Sequence, residues 1–185
     1  MPAYALFDTA IGPCGLVWGD DGVTNAVLPE VDLEATRQRL LRRTPTAIET
    51  EPTAEIATAI EAIRELFADG QRDLADIKLD LAAVSDFQRQ VYAIARAIPP
   101  GETLTYGDIA KRLGGVQLAR EVGQAMGKNP IPIIVPCHRV LAAGGGTGGF
   151  SAPGGVDTKL RMLTIEKART SAQPSLFDDL PLARA

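Results

Sequence analysis

The chain has 185 residues, 45 % of them hydrophobic and 23 % charged, with 19 Lys/Arg against 23 Asp/Glu for a net charge of −4. Such a composition predicts one ordinary soluble domain, or a small domain joined to a larger one, and no apolar run approaches the roughly 20 residues needed to cross a bilayer. Two cysteines and one histidine are too few for a disulfide framework or a cysteine-based zinc site, so neither a metal nor another cofactor is expected.

The opening MPAYALFDTAIGPCG lacks a basic segment followed by an apolar core. No secretory signal is therefore read, and a reducing cytoplasm is the expected setting. Charge is divided unevenly: residues 1–84 carry 7 Lys/Arg and 15 Asp/Glu (net −8), whereas residues 85–170 carry 11 and 6 (net +5). That asymmetry suggests that the second half meets a polyanion and the first half does not.

Residues 4–8, 15–18 and 23–28 read as short strands, and GDDG at 19–22 supplies a turn for an antiparallel meander. A helix is predicted over 32–43, with Asp32 as N-cap and Arg42 and Arg43 at its C-terminal end. A stronger one covers 53–70, where Thr53 caps, Gly70 closes, and Ile56, Ile60, Ile63 and Phe67 form one stripe. IKLDL at 77–81 alternates like a strand. Residues 1–84 thus form a small α+β scaffold domain with an antiparallel sheet and no evident chemistry. Its Cys14, in the turn-like GPCG, reads as a small semi-buried side chain.

Composition shifts at Ser85. A capped helix is predicted over 86–97, with Phe87, Val91, Ile94 and Ile98 inward and Pro-Pro-Gly as its stop. Residues 105–115 start at a Thr N-cap and end in Gly-Gly, and 116–130 form a second helix closed by Gly127 and the Asn129–Pro130 step. Two short helices about a glycine turn make a helix-turn-helix, winged-helix-like pattern, though an ordinary helical hairpin has the same signature. The glycine-rich stretch after Leu141 must be a loop whose backbone approaches something closely. A last helix is predicted over 157–169, capped by Asp157, with Leu160, Leu163, Thr164 and Lys167 on one side. The organisation is α+β: a scaffold domain over 1–84, a mostly helical domain over 85–169, and a flexible tail over 170–185.

In IPIIVPCHRV (131–140) the chain's one histidine, His138, directly follows Cys137. A cysteine is a strong nucleophile as the thiolate, and a nearby base shifts that balance. Neighbours on an extended segment point to opposite sides, so a turn or a water must connect the two. For His138 to act as a base, its far nitrogen needs a carboxylate, and Glu166 on the last helix is the candidate. From the pair alone, two unremarkable side chains are the favoured reading, and the context decides otherwise.

Taken with TYGDIA, AREVGQAMGKNP and GGTGGFS, this segment resembles the O6-alkylguanine-DNA alkyltransferase family over about 87–166. The resemblance implies DNA repair in which Cys137 irreversibly accepts the alkyl group from O6 of guanine, with O4-methylthymine as a further substrate, one transfer per molecule. It assigns the thiol proton to His138 and Glu166 through a water, and hinge bracing to Asn129. The DNA-facing set is Tyr106, Ala119, Arg120, Gly123 and Arg139, with Tyr106 favouring nucleotide rotation and Arg120 filling the vacated stack. Backbone near Val140 and Ser151 would read the guanine edge, with Phe150 stacking on it and Met126 completing the pocket. The partner implied is double-stranded alkylated DNA, read from the minor groove by a monomer.

Three residues depart from the family pattern: Thr105 for a serine, Phe150 for a tyrosine and Glu121 for an alanine. Two other classes stand beside this reading, a non-catalytic module that binds alkylated bases and a Cys-His hydrolase of unrelated fold. QPSLF, from Gln173 to Phe177, resembles a pentapeptide that docks on the sliding clamp.

Overall fold

In the computed structural model, which describes residues 1–168, the first half is a four-stranded sheet covered by a helix on each face. Strands β1 (Ala3–Thr9), β2 (Gly12–Gly19) and β3 (Gly22–Val27) form the expected antiparallel meander, and the short β4 (Ile48–Glu49) joins β1 in parallel. Both faces are apolar, and the period of two sorts the side chains between them. Ala5, Phe7, Cys14, Leu16 and Trp18 enter the main core with α2 (Ala54–Asp69), while Tyr4, Val17 and Val27 meet Leu40 of α1 (Leu33–Arg43) on the other side. Asp32 caps α1 by accepting from Ala35 N at 2.7 Å, and Gly70 closes α2 at φ 76°.

The expected strand at 77–81 is reduced to a single bridge between Val23 and Leu79. Val23 N donates to Lys78 O at 3.0 Å and Asp80 N to Val23 O at 2.9 Å. Farther along that sheet edge Ala26 N donates to Pro130 O, so the second half of the chain occupies the ladder that 77–81 would need.

The second half opens with α3 (Asp86–Arg96), held by a reciprocal capping box between Ser85 and Gln88. Val91, Tyr92 and Ala95 are its buried face, and the Tyr92 hydroxyl donates to Ala125 O at 2.9 Å. Helix α4 (Tyr106–Arg112) has a second such box, Thr105 with Asp108. After the Gly114–Gly115 turn, α5 covers Ala119–Gly127 behind a 3-10 turn at Val116–Leu118. It ends before the predicted 130 because a residue preceding proline is driven out of the helical region. Leu104–Thr105 (β5) and Val140–Leu141 (β6) pair in parallel.

The last helix, α6 (Gly155–Ile165), starts two residues before the predicted Asp157 and stops short of 169. Lys167 adopts φ 53°, a left-handed turn that closes it. Its inward stripe is Lys159, Met162, Leu163 and Glu166, whereas the expected Leu160 is 40 % exposed. One hydrophobic cluster joins the two halves, running from Leu16 and Ile63 to Tyr92, Ile109 and Ile131. The architecture is α+β. QPSLF (173–177) lies outside the described residues, and among those no helix is long and apolar enough to cross a membrane.

Gly70 is where α2 meets the end of α6. A Cβ there would stand 2.0 Å from Ile165 O and 2.7 Å from Glu166 Cα, on a backbone that disfavours side chains. Gly70→Ala should lose about 2–4 kcal/mol of stability in urea unfolding. An unchanged midpoint would contradict this packing.

Candidate active site

The apolar run Ile131–Val135 is wholly buried and plants the turn that follows it. Asn129 clamps the run at both ends: Nδ2 donates to Val135 O at 2.8 Å, and Oδ1 accepts from Ile131 N at 2.9 Å. Within it Ile133 is held at φ 78°, a strained conformation for a β-branched residue. Cys137–Arg139 then form a 3-10 turn, which takes Cys137 and His138 out of the extended geometry that would set them on opposite sides.

Behind the turn lies Glu166. His138 Nε2 stands 2.8 Å from its Oε1, while Arg139 donates Nε to Oε2 and Nη2 to Oε1, both at 2.9 Å. Burial alone would raise this carboxyl, but the hydrogen bonds from His138 and Arg139 and the charge of Arg139 win and hold it at about 2. Burial lowers His138 against the pull of Glu166, which keeps the ring neutral. With Nε2–H directed at the carboxylate, Nδ1 is the acceptor; it is buried and has no hydrogen-bond partner among the described residues.

Burial pushes the Cys137 thiol up, while the Asn129 amide, the charge of Lys159 and the backbone N–H groups of Cys137 and His138 pull it back. Lys159 is fully buried, donates from Nζ to Val140 O at 2.7 Å, and is brought down to about 8 by that burial. Nothing in the sequence reading singled it out. The signal was a lysine three and four residues before Met162 and Leu163, on the apolar stripe of α6.

Cys137 borders two cavities. The one beside α4 and α5, about 460 Å³, also takes Tyr106, Gly123, Met126, Phe150 and Ser151, so six of the predicted residues converge there. The glycine loop forms its wall, and at Gly148 (φ 70°) a Cβ would come 3.1 Å from the Tyr106 ring. Burial and the neighbouring Cys137 raise the Tyr106 phenol. A second cavity, about 190 Å³, lies on the side of α1 and brings in Arg39 and Arg43, which the sequence reading left as scaffold.

Two expectations are corrected. Arg139 does not face outward with the DNA-facing set: it is 2 % exposed and committed to Glu166 and to Ile98 O. Val140 lines neither cavity; it is buried, its N–H donates to Cys137 O and its carbonyl accepts from Lys159. Ala119 and Arg120 open α5, with Arg120 exposed. Among the described residues no three His, Cys, Asp or Glu side chains converge as metal ligands.

Residues 86–168 match the family described as 6-O-methylguanine DNA methyltransferase, DNA binding domain. The methylated-DNA–protein-cysteine methyltransferase of Mycolicibacterium paratuberculosis is 38 % identical over 178 residues, 96 % of this chain and 100 % of the relative. That of Methanothermobacter thermautotrophicus is 36 % identical over 86 % of this chain and 82 % of its own length. Among solved structures, Mycobacterium tuberculosis OGT in complex with DNA aligns with a TM-score of 0.69 at 33 % identity, covering 91 % of this chain and 96 % of that one. The O6-methylguanine-DNA methyltransferase of Pyrococcus kodakaraensis gives 0.68 at 27 %, covering 90 % and 99 %.

Because the Glu166 carboxyl is depressed in the fold, its stabilisation is complete above the ordinary value of 4.5 and is lost as pH falls towards 2. The buried neutral His138 acts in the same direction, since unfolding lets it take up a proton. Urea unfolding should therefore show wild-type stability dropping between pH 4.5 and 2, with a shallower drop in Glu166→Gln. Equal slopes would show that the carboxylate does not carry this dependence.

Proposed function

The chain belongs to the methylated-DNA–protein-cysteine methyltransferase family, and from that premise we propose that Cys137 is its alkyl acceptor in the direct repair of O6-alkylguanine in DNA. The observation that carries this reading is the thiol at the wall of a cavity with the His138–Glu166 pair directly behind it. Among the described residues His138 Nδ1 has no hydrogen-bond partner, so the thiol proton reaches it across a bridging solvent molecule. Sγ attacks the alkyl carbon in line, the C–S bond forms, and the C–O6 bond breaks with its electron pair leaving on guanine. The relay returns the proton to that anion. Tyr106, kept protonated by its raised phenol, donates to the leaving base.

A base inside a duplex cannot reach this thiol, so it must be extruded at a cost of a few kcal/mol, less where alkylation has weakened pairing. Helix α5 suits a minor-groove approach: Ala119 and Gly123 are small, and a Cβ at Gly123 would meet nothing within 4 Å. Arg120 is exposed and, among the described residues, free of the ion pairs that would tie it down, as a side chain that fills a vacated stack requires. Action as a monomer is part of this reading, and a reducing cytosol suits a chemistry that needs a free thiol. A module that only bound alkylated bases would leave Cys137 and its relay idle.

Intact-mass measurement after incubation with O6-methylguanine duplex should show one added methyl group, on Cys137, and a stop at one equivalent. Cys137→Ala should gain no mass yet still bind the duplex. Product beyond one equivalent, or transfer by the alanine variant, would refute the assignment. Arg120→Ala should slow repair of duplex by roughly tenfold while leaving reaction with the free base nearly unchanged, since about 1.4 kcal/mol of lost support for extrusion corresponds to that factor. Equal slowing of both would remove the role given to Arg120.

A further inference from the structure

Helix α5 begins with an acid that the fold leaves without a partner. Leu118 occupies the N-cap and gives no side-chain hydrogen bond. Glu121, three residues on, stands where a capping box places its acid, as Asp108 stands behind Thr105 at the start of α4. In α4 the box closes, with Asp108 Oδ2 accepting from Thr105 N at 2.9 Å. In α5 it cannot close: the Leu118 N–H is already donated to Gly115 O at 3.1 Å, and leucine has no hydroxyl to offer in return. Glu121 is exposed, and among the described residues its carboxylate makes neither a hydrogen bond nor an ion pair. Arg120 and Gln124 are exposed beside it on the same helix.

A duplex meets that carboxylate with two rows of phosphates and repels it wherever it finds no donor. The groove that α5 approaches is poor in donors. On the minor-groove side A·T pairs present only the acceptors adenine N3 and thymine O2, and the 2-amino group of guanine is the one donor a base pair shows there. Arg120, one residue earlier, fills the vacated stack. A helix advances about 1.5 Å per residue, less than the roughly 3.4 Å step between base pairs, so Glu121 falls beside an adjoining pair. We propose that Glu121 sets the sequence context of repair. Its carboxylate accepts from the 2-amino group of a guanine next to the lesion, and the protein reacts faster beside G·C than beside A·T. Beside A·T the same carboxylate faces acceptors alone, so repulsion widens the difference. The inference rests on the reading of Cys137 as alkyl acceptor and of α5 as the minor-groove helix. An acid in the first turn also suits the helix dipole, but that contribution is equal for every DNA sequence and yields no preference.

Inosine, which is guanine without its 2-amino group and keeps the same major-groove edge, isolates the contact. Duplexes carry O6-methylguanine with a G·C or an inosine·C neighbour, in either orientation and on each side of the lesion in turn. Methyl transfer by the full chain is timed in single turnover at subsaturating protein. The quantity read is the rate beside G·C divided by the rate beside inosine·C, taken within each variant so that changes in folding or thiol reactivity cancel. Comparing variants on the same duplexes cancels the different ease of extrusion beside the two pairs. The wild-type ratio should exceed that of Glu121→Ala by roughly threefold to tenfold on one side of the lesion, the scale of one charge-assisted hydrogen bond at a wet interface. Glu121→Gln, which keeps a carbonyl acceptor, should retain part of the difference. A ratio that Glu121→Ala leaves unchanged on both sides would overturn the inference. So would a G·C preference that inosine preserves, because it would set the carboxylate against cytosine N4 in the major groove. Absence of methyl transfer by the wild-type protein on every duplex would instead sink the reading of Cys137, and this inference with it.

Discussion

Glu166 receives His138 Nε2 and two nitrogens of Arg139 within 2.9 Å, and nearly everything else in the site is arranged around that buried carboxylate. It ties the end of α6 to the turn bearing Cys137, two segments separated by the whole glycine loop. A carboxylate taken out of water is stable only when its lone pairs are met, and here a bidentate guanidinium and an imidazole meet them. That requirement explains why Arg139 faces inward. It also fixes the tautomer that leaves His138 Nδ1 as acceptor, so one interaction both closes the fold and sets the base.

The same burial works against the nucleophile. A thiol shielded from water resists ionisation, and Cys137 is raised for that reason. The opposing influences are local: the Asn129 amide, two backbone N–H groups and the cation of Lys159, itself weakened by burial. In the proposed transfer such a site starts from a protonated thiol, and the neutral histidine takes the proton as the new bond forms. Strain in the preceding run, where Ile133 is held left-handed, is borne by the buried packing of its neighbours and by the two bonds of Asn129.

The first half of the chain contributes more than support. Gly70 allows the end of α2 to press against Ile165 and Glu166, so the position of the carboxylate depends on a glycine nearly a hundred residues away in sequence. The edge of β3 bonds Pro130, next to Asn129. Helix α1 carries Arg39 and Arg43 to a cavity that also holds the reactive sulfur. These three contacts make the sheet domain a wall of the site, and the shared hydrophobic cluster keeps that wall in place.

Local signals sufficed where the physics is local. Asp32, Thr53, Ser85 and Thr105 cap helices in the structure because a side-chain oxygen meets an amide three residues on, a relation visible in any window of sequence. The alternating strands, the Pro stop after Asn129, and the chain of Cys137, His138, Asn129 and Glu166 were legible for similar reasons or through motif resemblance. Residues 77–81 had strand alternation, but Pro130 takes the next position on the β3 edge and pairing stops at one bridge, which only the assembled sheet could decide. Arg139, Lys159, Arg39 and Arg43 are charged residues, and sequence reasoning sends charge to the surface; that Arg139 and Lys159 are buried depends on partners 19 to 41 residues distant, and that Arg39 and Arg43 border the site depends on contacts 112 and 86 residues away. The sequence by itself determined most of the elements and pointed to the proposed nucleophile and base. Tertiary structure decided the electrostatics around them, because the energy of a charge is set by what surrounds it in space.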